Sequence, residues 1–378
     1  MSVMRIMSVV PRTDPSLACW VRMESIASSL EAMGHSIDFF HYGAASHDRW
    51  FENTKTTGAH EYVVAPRPVI PFKHLRAISK GTWNLVYANM QTAAVHSCLT
   101  RLARVPLVVD LHGDVVAEFW IQTQLKPRST GGIVGYSKWK AIDMISRCAA
   151  TRLVCVSRRM MSILEAQGIQ KSRMIYVPNG VDLDFFRPSP SSLRENLRGK
   201  FGISDALVFG YLGGSARWQG VENFVRASLA SKEENLAFLT VGASTDARTR
   251  GRLRMLPGVP RLEIPDYYSV CDILVLPRPK HVATEVASPT KFAEYAAMGK
   301  PILTTDVGDP AEFVRKYSCG IVVKNDSPEE LLEGMSQMAS KTESELDAMG
   351  KRSRILAEEE FDWKRIGGSL DAALTRLV

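Results

Sequence analysis

Apolar runs with the look of buried β-strands alternate along this chain with segments of helical period. Residues 4–10 predict a first strand, 16–33 an amphipathic helix closed by Gly34, and 36–41 a second strand. Residues 62–65, 85–88 and 106–110 predict further strands, the last running into His112-Gly113. A helix over 139–149, a strand over 152–157, a helix over 158–167 closed by Gly168 and a strand over 174–177 follow. A Pro/Ser-rich stretch, 187–192, interrupts the alternation. The cycle then restarts with strands over 206–212, 236–241, 261–264, 272–276 and 301–305, a Gly213-Gly214 turn and a helix over 220–230. Two successive β-α-β series predict an α/β chain of two doubly wound domains, 1–180 and 181–362, with any ligand in the cleft between them. The last helix, about 363–378, either closes the second domain or packs back on the first.

One helix is punctuated at both ends. Ser288 suits its N-cap, Pro289 its first position and Gly299 a left-handed C′ residue, while Pro301 forbids continuation. Apolar runs at 273–276 and 302–303 make it part of a strand–loop–helix–strand unit. Thr290, Lys291 and Glu294 share one face of the helix end that attracts anions. A hydroxyl, a cation and a carboxylate there fit a phosphate-plus-sugar ligand. A capped surface helix with a Lys291–Glu294 ion pair fits the same residues.

Composition narrows the class. A chain of 378 residues, 45% of them apolar and 23% charged, is large enough for two cores and excludes a disordered chain. The longest uncharged run, 81–100, contains Asn84, Asn89, Gln91 and His96 and is too polar to span a membrane. Residues 1–11 lack a signal-peptide cleavage pattern, so a cytoplasmic location is expected. The six cysteines form no Cys-x-x-Cys pair and are expected to be reduced and buried, holding neither metal nor disulfide.

Charge is uneven. Residues 1–180 carry 21 Lys and Arg against 12 Asp and Glu, and the remainder 26 against 28. A basic first half suits an anionic partner or is ordinary solvated charge; without a basic block or aromatic-interleaved stripe, nucleic acid is not expected. Phe119-Trp120-Ile121 and Lys138-Trp139-Lys140 flank a Pro/Gly/Ser-containing stretch. Aromatic residues beside lysines suit peripheral contact with the inner face of a membrane, and equally suit packing.

The ordered set of motifs resembles the family 4 glycosyltransferases, retaining enzymes of the GT-B fold with two Rossmann-like domains. The likeness rests on Val177-Pro178-Asn179-Gly180-Val181-Asp182 with Phe185-Phe186-Arg187-Pro188, on Phe209 to Gly214 with Trp218 to Glu222, and on Ser288 to Pro301. Asp110-Leu111-His112-Gly113 and Val156-Ser157 add weaker support. The resemblance implies transfer of a sugar from a nucleotide-diphosphate donor on the second domain to a glycan, lipid-linked or small-molecule acceptor on the first. It implies no obligatory metal, and Asp182-Leu183-Asp184 then belongs to the junction turn rather than to a metal site. Carried over residue by residue, it gives His112, Lys291 and Glu294 catalytic roles, with Glu294 on the ribose. The donor site would comprise Gly213, Gly214, Arg217, Glu285, Val286, Ser288, Pro289, Thr290, Lys291 and Glu294. The base would be read by the backbone around Gly242-Ala243 and Ile264-Pro265.

Several positions depart from the family pattern. Gly214 and Gln219 stand where members often carry an Arg and a Lys on the diphosphate, and Arg217, Lys291 or Arg278 would have to replace them. The first of the usual two glutamates falls on Val286, with Glu285 one place off. The loop at 11–15 lacks the glycine pair many members place near the acceptor. These departures leave two alternatives: an epimerase or phosphorylase on the same fold, and a non-catalytic partner subunit with a decayed donor site.

Overall fold

In this computed structural model, residues 3–11, 18–42, 75–76, 78–79, 81 and 83–378 are described; the expected strand 62–65 and loop residues 12–15 lie outside them. The chain divides into two compact units, one running to Pro178 and regaining Trp363–Val378, the other Asn179–Asp362.

The first unit is built on a parallel sheet ordered β2-β1-β3-β4-β5-β6. Its strands are β1 (Arg5–Pro11), β2 (Ser36–Tyr42), β3 (Leu85–Asn89), β4 (Leu107–Leu111), β5 (Arg152–Cys155) and β6 (Met174–Tyr176). β3 and β4 are buried at every position, as strands covered on both faces must be. Strand order reverses at β1, so a ligand is expected beyond the carboxyl ends of β1 and β3. The final helix, Trp363–Thr375, belongs to this unit and packs on the helix Ala18–Glu31. A Cβ on Gly367 would come within 2.6 Å of Ser29 Cβ, so glycine permits that approach. His35 fastens the two helices to the sheet: its Nδ1 accepts from Met4 N at 3.1 Å, and its Nε2 meets Asp371 Oδ1 at 2.6 Å.

The second unit holds the order β13-β12-β11-β7-β8-β10-β9. Its strands are β7 (Leu207–Leu212), β8 (Leu236–Val241), β9 (Arg248–Arg250), β10 (Leu253–Leu256), β11 (Ile273–Leu276), β12 (Ile302–Thr305) and β13 (Gly320–Val323). The short β9 lies antiparallel to β10, and the remaining pairs are parallel. β9, β10 and β13, and the helices Gly308–Tyr317, Pro328–Ala339 and Glu343–Leu356, extend beyond the predicted elements.

Three expectations are corrected. The strand over 261–264 is a 3₁₀ turn, Arg261–Glu263, opening the helix Ile264–Val270, because Pro260 and Pro265 suit a helix start and cannot donate to a ladder. The helix over 139–149 runs Thr130–Ala149, with Ser129 Oγ accepting from Gly132 N, so the stretch between the two aromatic clusters is largely helical. Cysteine burial holds for Cys155, Cys271 and Cys319, whereas Cys19 and Cys98 are half-buried and Cys148 is exposed.

Candidate functional site

In the second unit, Pro289 is the N-cap of the helix Thr290–Ala297, and it offers that helix no side-chain acceptor. Ser288 is not the cap. Its Oγ accepts from Asn179 N at 3.0 Å and its carbonyl from Asn179 Nδ2 at 2.5 Å, which ties the helix entry to the start of the unit. The N–H groups of Ala287, Ser288, Thr290 and Lys291 have no acceptor among the described residues. Val286 leaves the expected cradle, because its N–H bonds Val282 O at 3.1 Å. At the other end Met298 is the C-cap and Gly299 takes φ +64°, the left-handed residue anticipated there.

Lys291 and Glu294 are both buried, and they do not form the ion pair of the alternative, surface-helix reading. Lys291 Nζ donates to Tyr211 Oη at 2.8 Å and to Gln219 Oε1 at 2.9 Å, lying 4.3 Å from the Tyr211 ring centre. The Tyr211 hydroxyl donates in turn to Gly214 O at 2.7 Å. Both of the lysine's acceptors are neutral. Arg278, beyond the end of β11 and also buried, donates from Nε to Trp218 O at 3.2 Å. Burial first, then the Arg278 charge, pull the Lys291 ammonium down to about 7, against the opposing Glu294. Gly213 takes φ +142°, and a Cβ there would lie 2.3 Å from Lys291 Nζ, so a side chain at 213 would displace the amine. Glu294 Oε2 accepts from the Tyr268 hydroxyl at 2.7 Å. Burial pushes its carboxyl up, while Tyr268, Arg261 and Lys291 act against that rise. Gly214 and Arg217 are exposed, Arg217 on the 3₁₀ turn Arg217–Gln219. Glu285 ends the short helix Val282–Glu285, held there by its N–H to His281 O at 2.9 Å.

In the first unit, Asp110 at the end of β4 is fully buried. It accepts from Arg22 Nε at 2.9 Å, Arg22 Nη2 at 3.0 Å and Tyr87 Oη at 2.9 Å. His112 Nε2 stands 3.4 Å from the same carboxylate, a contact longer than a good hydrogen bond. Burial would push the Asp110 carboxyl up, but Arg22 and His112 outweigh it and hold the group well below the usual carboxylate range. Arg22 also donates to Val177 O at 2.9 Å and Pro178 O at 3.0 Å, the last residues of this unit before the crossing. Beside the His-Gly turn, Gln91 Nε2 donates to Gly113 O at 2.8 Å, and Met90 holds φ +78°, a strained value for a side-chain-bearing residue.

The description Glycosyltransferase Family 4 matches residues 20–185, and Glycosyl transferases group 1 matches residues 206–341. The chain belongs to the family 4 glycosyltransferases. A curated relative, the GDP-mannose-dependent alpha-(1-6)-phosphatidylinositol monomannoside mannosyltransferase of Mycobacterium tuberculosis, is 23% identical over 52% of this chain and 54% of its own length. The chain thus spans about half the length of that relative. The crystal structure of Anabaena Alr3699/HepE in complex with UDP and glucose covers 98% of this chain and 99% of its own, with a TM-score of 0.75 and 18% identity. Sucrose-phosphate synthase (tll1590) from Thermosynechococcus elongatus covers 99% of both, with a TM-score of 0.77 and 15% identity. The fold is GT-B.

Within this family 4 chain, the structure gathers Gly213, Gly214, Gln219, Arg278, Lys291 and Glu294 around one helix end and leaves Arg217 at the surface. Asp182 caps a turn, its Oδ1 accepting from Asp184 N and Phe185 N at 3.0 Å each. Sequence reasoning gave no role to Tyr211, although it lies in the Phe209 to Gly214 motif, nor to Tyr268 or Arg22. Arg22 had a signal: it sits in the apolar register of its helix with Ile26 and Leu30, where an arginine needs a buried counterion.

Proposed function

We propose that this protein is a retaining glycosyltransferase that binds a nucleotide-diphosphate sugar on its second unit and passes the sugar to an acceptor bound by its first. The observation that carries the reading is the buried Lys291 ammonium, whose two hydrogen-bond acceptors are neutral, beside four N–H groups of a helix entry that have no acceptor among the described residues. A buried ammonium held only by neutral acceptors among the described residues is unfavourable until an anion arrives, and a diphosphate supplies it. Lys291, Arg278 and the amides would stabilise the departing diphosphate without an obligatory metal. Glu294 would accept from the ribose. His112, steadied by Asp110, would approach the reacting sugar, and a diphosphate oxygen would take the acceptor's proton on the same face.

The acceptor is carbohydrate or lipid-linked. The mycobacterial relative, named as acting on a phosphatidylinositol mannoside, supports the second class. So does the helix Thr130–Ala149, which exposes Ile133, Val134, Tyr136, Met144 and Ile145 beside Lys138 and Lys140. Among the described residues no helix is long and apolar enough to cross a membrane, so contact would be peripheral, from the cytoplasmic side. Flotation with vesicles containing anionic lipid tests this, and loss of binding in Ile133→Glu/Met144→Glu is expected.

Calorimetry with UDP, GDP and ADP, followed by NMR of the product anomer, tests the main reading. One nucleotide should bind, Lys291→Ala and Glu294→Ala should each weaken it at least tenfold, and the product should keep the donor's anomeric configuration. Failure of all three to bind refutes the donor site and favours a non-catalytic subunit. Donor consumption without an acceptor favours the epimerase or phosphorylase reading.

A further inference from the structure

Tyr268 lies outside every motif that marks the donor site, on the helix Ile264–Val270. It is 2% exposed, and its hydroxyl reaches Glu294 Oε2 at 2.7 Å. That bond is the one the Glu294 carboxylate makes among the described residues. The phenol cannot swing away from it. Its ring is edge-on to Tyr295 at 5.3 Å and tilted against Phe186 at 6.2 Å, and both neighbours are themselves buried. Burial and the neighbouring Glu294 keep the phenol protonated far beyond neutral pH, so it is a permanent donor.

A glutamate has three rotatable bonds and two equivalent oxygens, and unrestrained it would present them in many directions. With Oε2 bonded by a rigid phenol, Oε1 makes no hydrogen bond among the described residues and is fixed relative to Oε2. Arg261, whose charge also bears on Glu294, approaches from the 3₁₀ turn that opens the Tyr268 helix, so one segment supplies both the bond and the charge. We infer that Tyr268 is a positioning residue: it fixes the Glu294 carboxylate so that its free oxygen accepts the hydroxyls of the donor's ribose. This rests on the donor reading above and adds to it a discriminator between ribose and deoxyribose ligands that no motif encodes.

Binding of UDP, GDP and ADP, each beside its 2′,3′-dideoxy analogue, tests the inference in the full chain with wild type, Tyr268→Phe and Glu294→Ala. Phe keeps the ring packing and removes the one hydroxyl. Tyr268→Phe should weaken the ribonucleotide that binds about tenfold and leave its dideoxy analogue unchanged, as should Glu294→Ala by at least as much. A ribose-specific loss in Glu294→Ala with none in Tyr268→Phe overturns the positioning role and leaves the donor reading standing. Equal loss of both ligands in Tyr268→Phe means that the tyrosine only supports the fold, which also overturns the inference. If Glu294→Ala itself fails to distinguish ribose from dideoxyribose, the assignment of Glu294 to the ribose falls, and the inference with it.

Discussion

Replacing Lys291 with methionine should make this protein more stable and unable to hold its donor. The Lys291 ammonium ionises near 7 in the folded chain against about 10.5 unfolded. That difference makes burial of the charged lysine cost about 4 kcal/mol at pH 7, at about 1.4 kcal/mol per unit. Methionine keeps most of the stem volume and removes the charge. Lost with the amine are its bonds to Tyr211 and Gln219, at about 1 kcal/mol each. A net gain of about 2 kcal/mol remains, or roughly 4–8 °C in Tm for a unit of this size.

The sign with pH is fixed. Because the folded value is depressed, the unfolded chain binds the extra proton between pH 7 and 10.5. The wild-type penalty is therefore full below about 7 and fades as pH rises toward 10.5. Thermal melts of both proteins from pH 6 to 9.5 should show the variant's advantage largest at the acid end and shrinking steadily. A variant no more stable at pH 7, or an advantage that does not change with pH, refutes the claim that Lys291 is held at an electrostatic cost.

Other consequences follow from the same groups. Donor affinity should be flat below about pH 7 and fall above it, because a bound diphosphate needs the Lys291 proton; titration calorimetry in buffers of differing ionisation enthalpy would detect proton uptake at pH 8. Gly213→Ala should raise the donor KM at least tenfold, since its Cβ would lie 2.3 Å from Lys291 Nζ, while a comparable KM would show the amine is free to move. Asp110→Asn should destabilise the first unit by about 1.5–3 kcal/mol by removing the charged acceptor of Arg22 Nε and Nη2, visible in melts, whereas His112→Asn should keep the melt and lower kcat about a hundredfold.

The fold was legible because parallel strands buried on both faces are written as unbroken apolar runs, as in β3 and β4. The helix end at 288–301 was legible through its proline and glycine punctuation, although its cap was assigned to the wrong residue. Ser288 has the right chemistry for a cap, but Asn179, over a hundred residues away, claims its hydroxyl. The 261–264 error has a different, local cause: an apolar pattern read as a strand although the flanking Pro260 and Pro265 favour a helix start. Long-range partners were hidden: nothing local pairs Lys291 with Gln219, Glu294 with Tyr268, or Arg22 with Asp110. Tertiary packing sets aside the alternative of a local Lys291–Glu294 ion pair and gives each residue its own polar contacts, Lys291 to Tyr211 and Gln219 and Glu294 to Tyr268.

Gln219 then acquires a meaning that its position alone did not carry. As a departure from a family lysine it looked like a lost diphosphate contact, yet its Oε1 is one of the two acceptors that aim Lys291. A cation at 219 would bring a second positive charge to within about 4 Å of Nζ, with Arg278 already acting on it. At an effective dielectric near 20 that costs about 4 kcal/mol. Gln219→Lys, although it restores the family residue, should therefore weaken donor binding and lower Tm in the Lys291 background. In the Lys291→Met background the same change should recover part of the lost affinity, because one cation then stands where one stood before. A double-mutant cycle on donor affinity should show coupling of at least 1 kcal/mol. Independent, additive effects would mean that the two positions serve the diphosphate separately; coupling would mean that Lys291 and Gln219 are one solution to the problem the family solves with a lysine at 219.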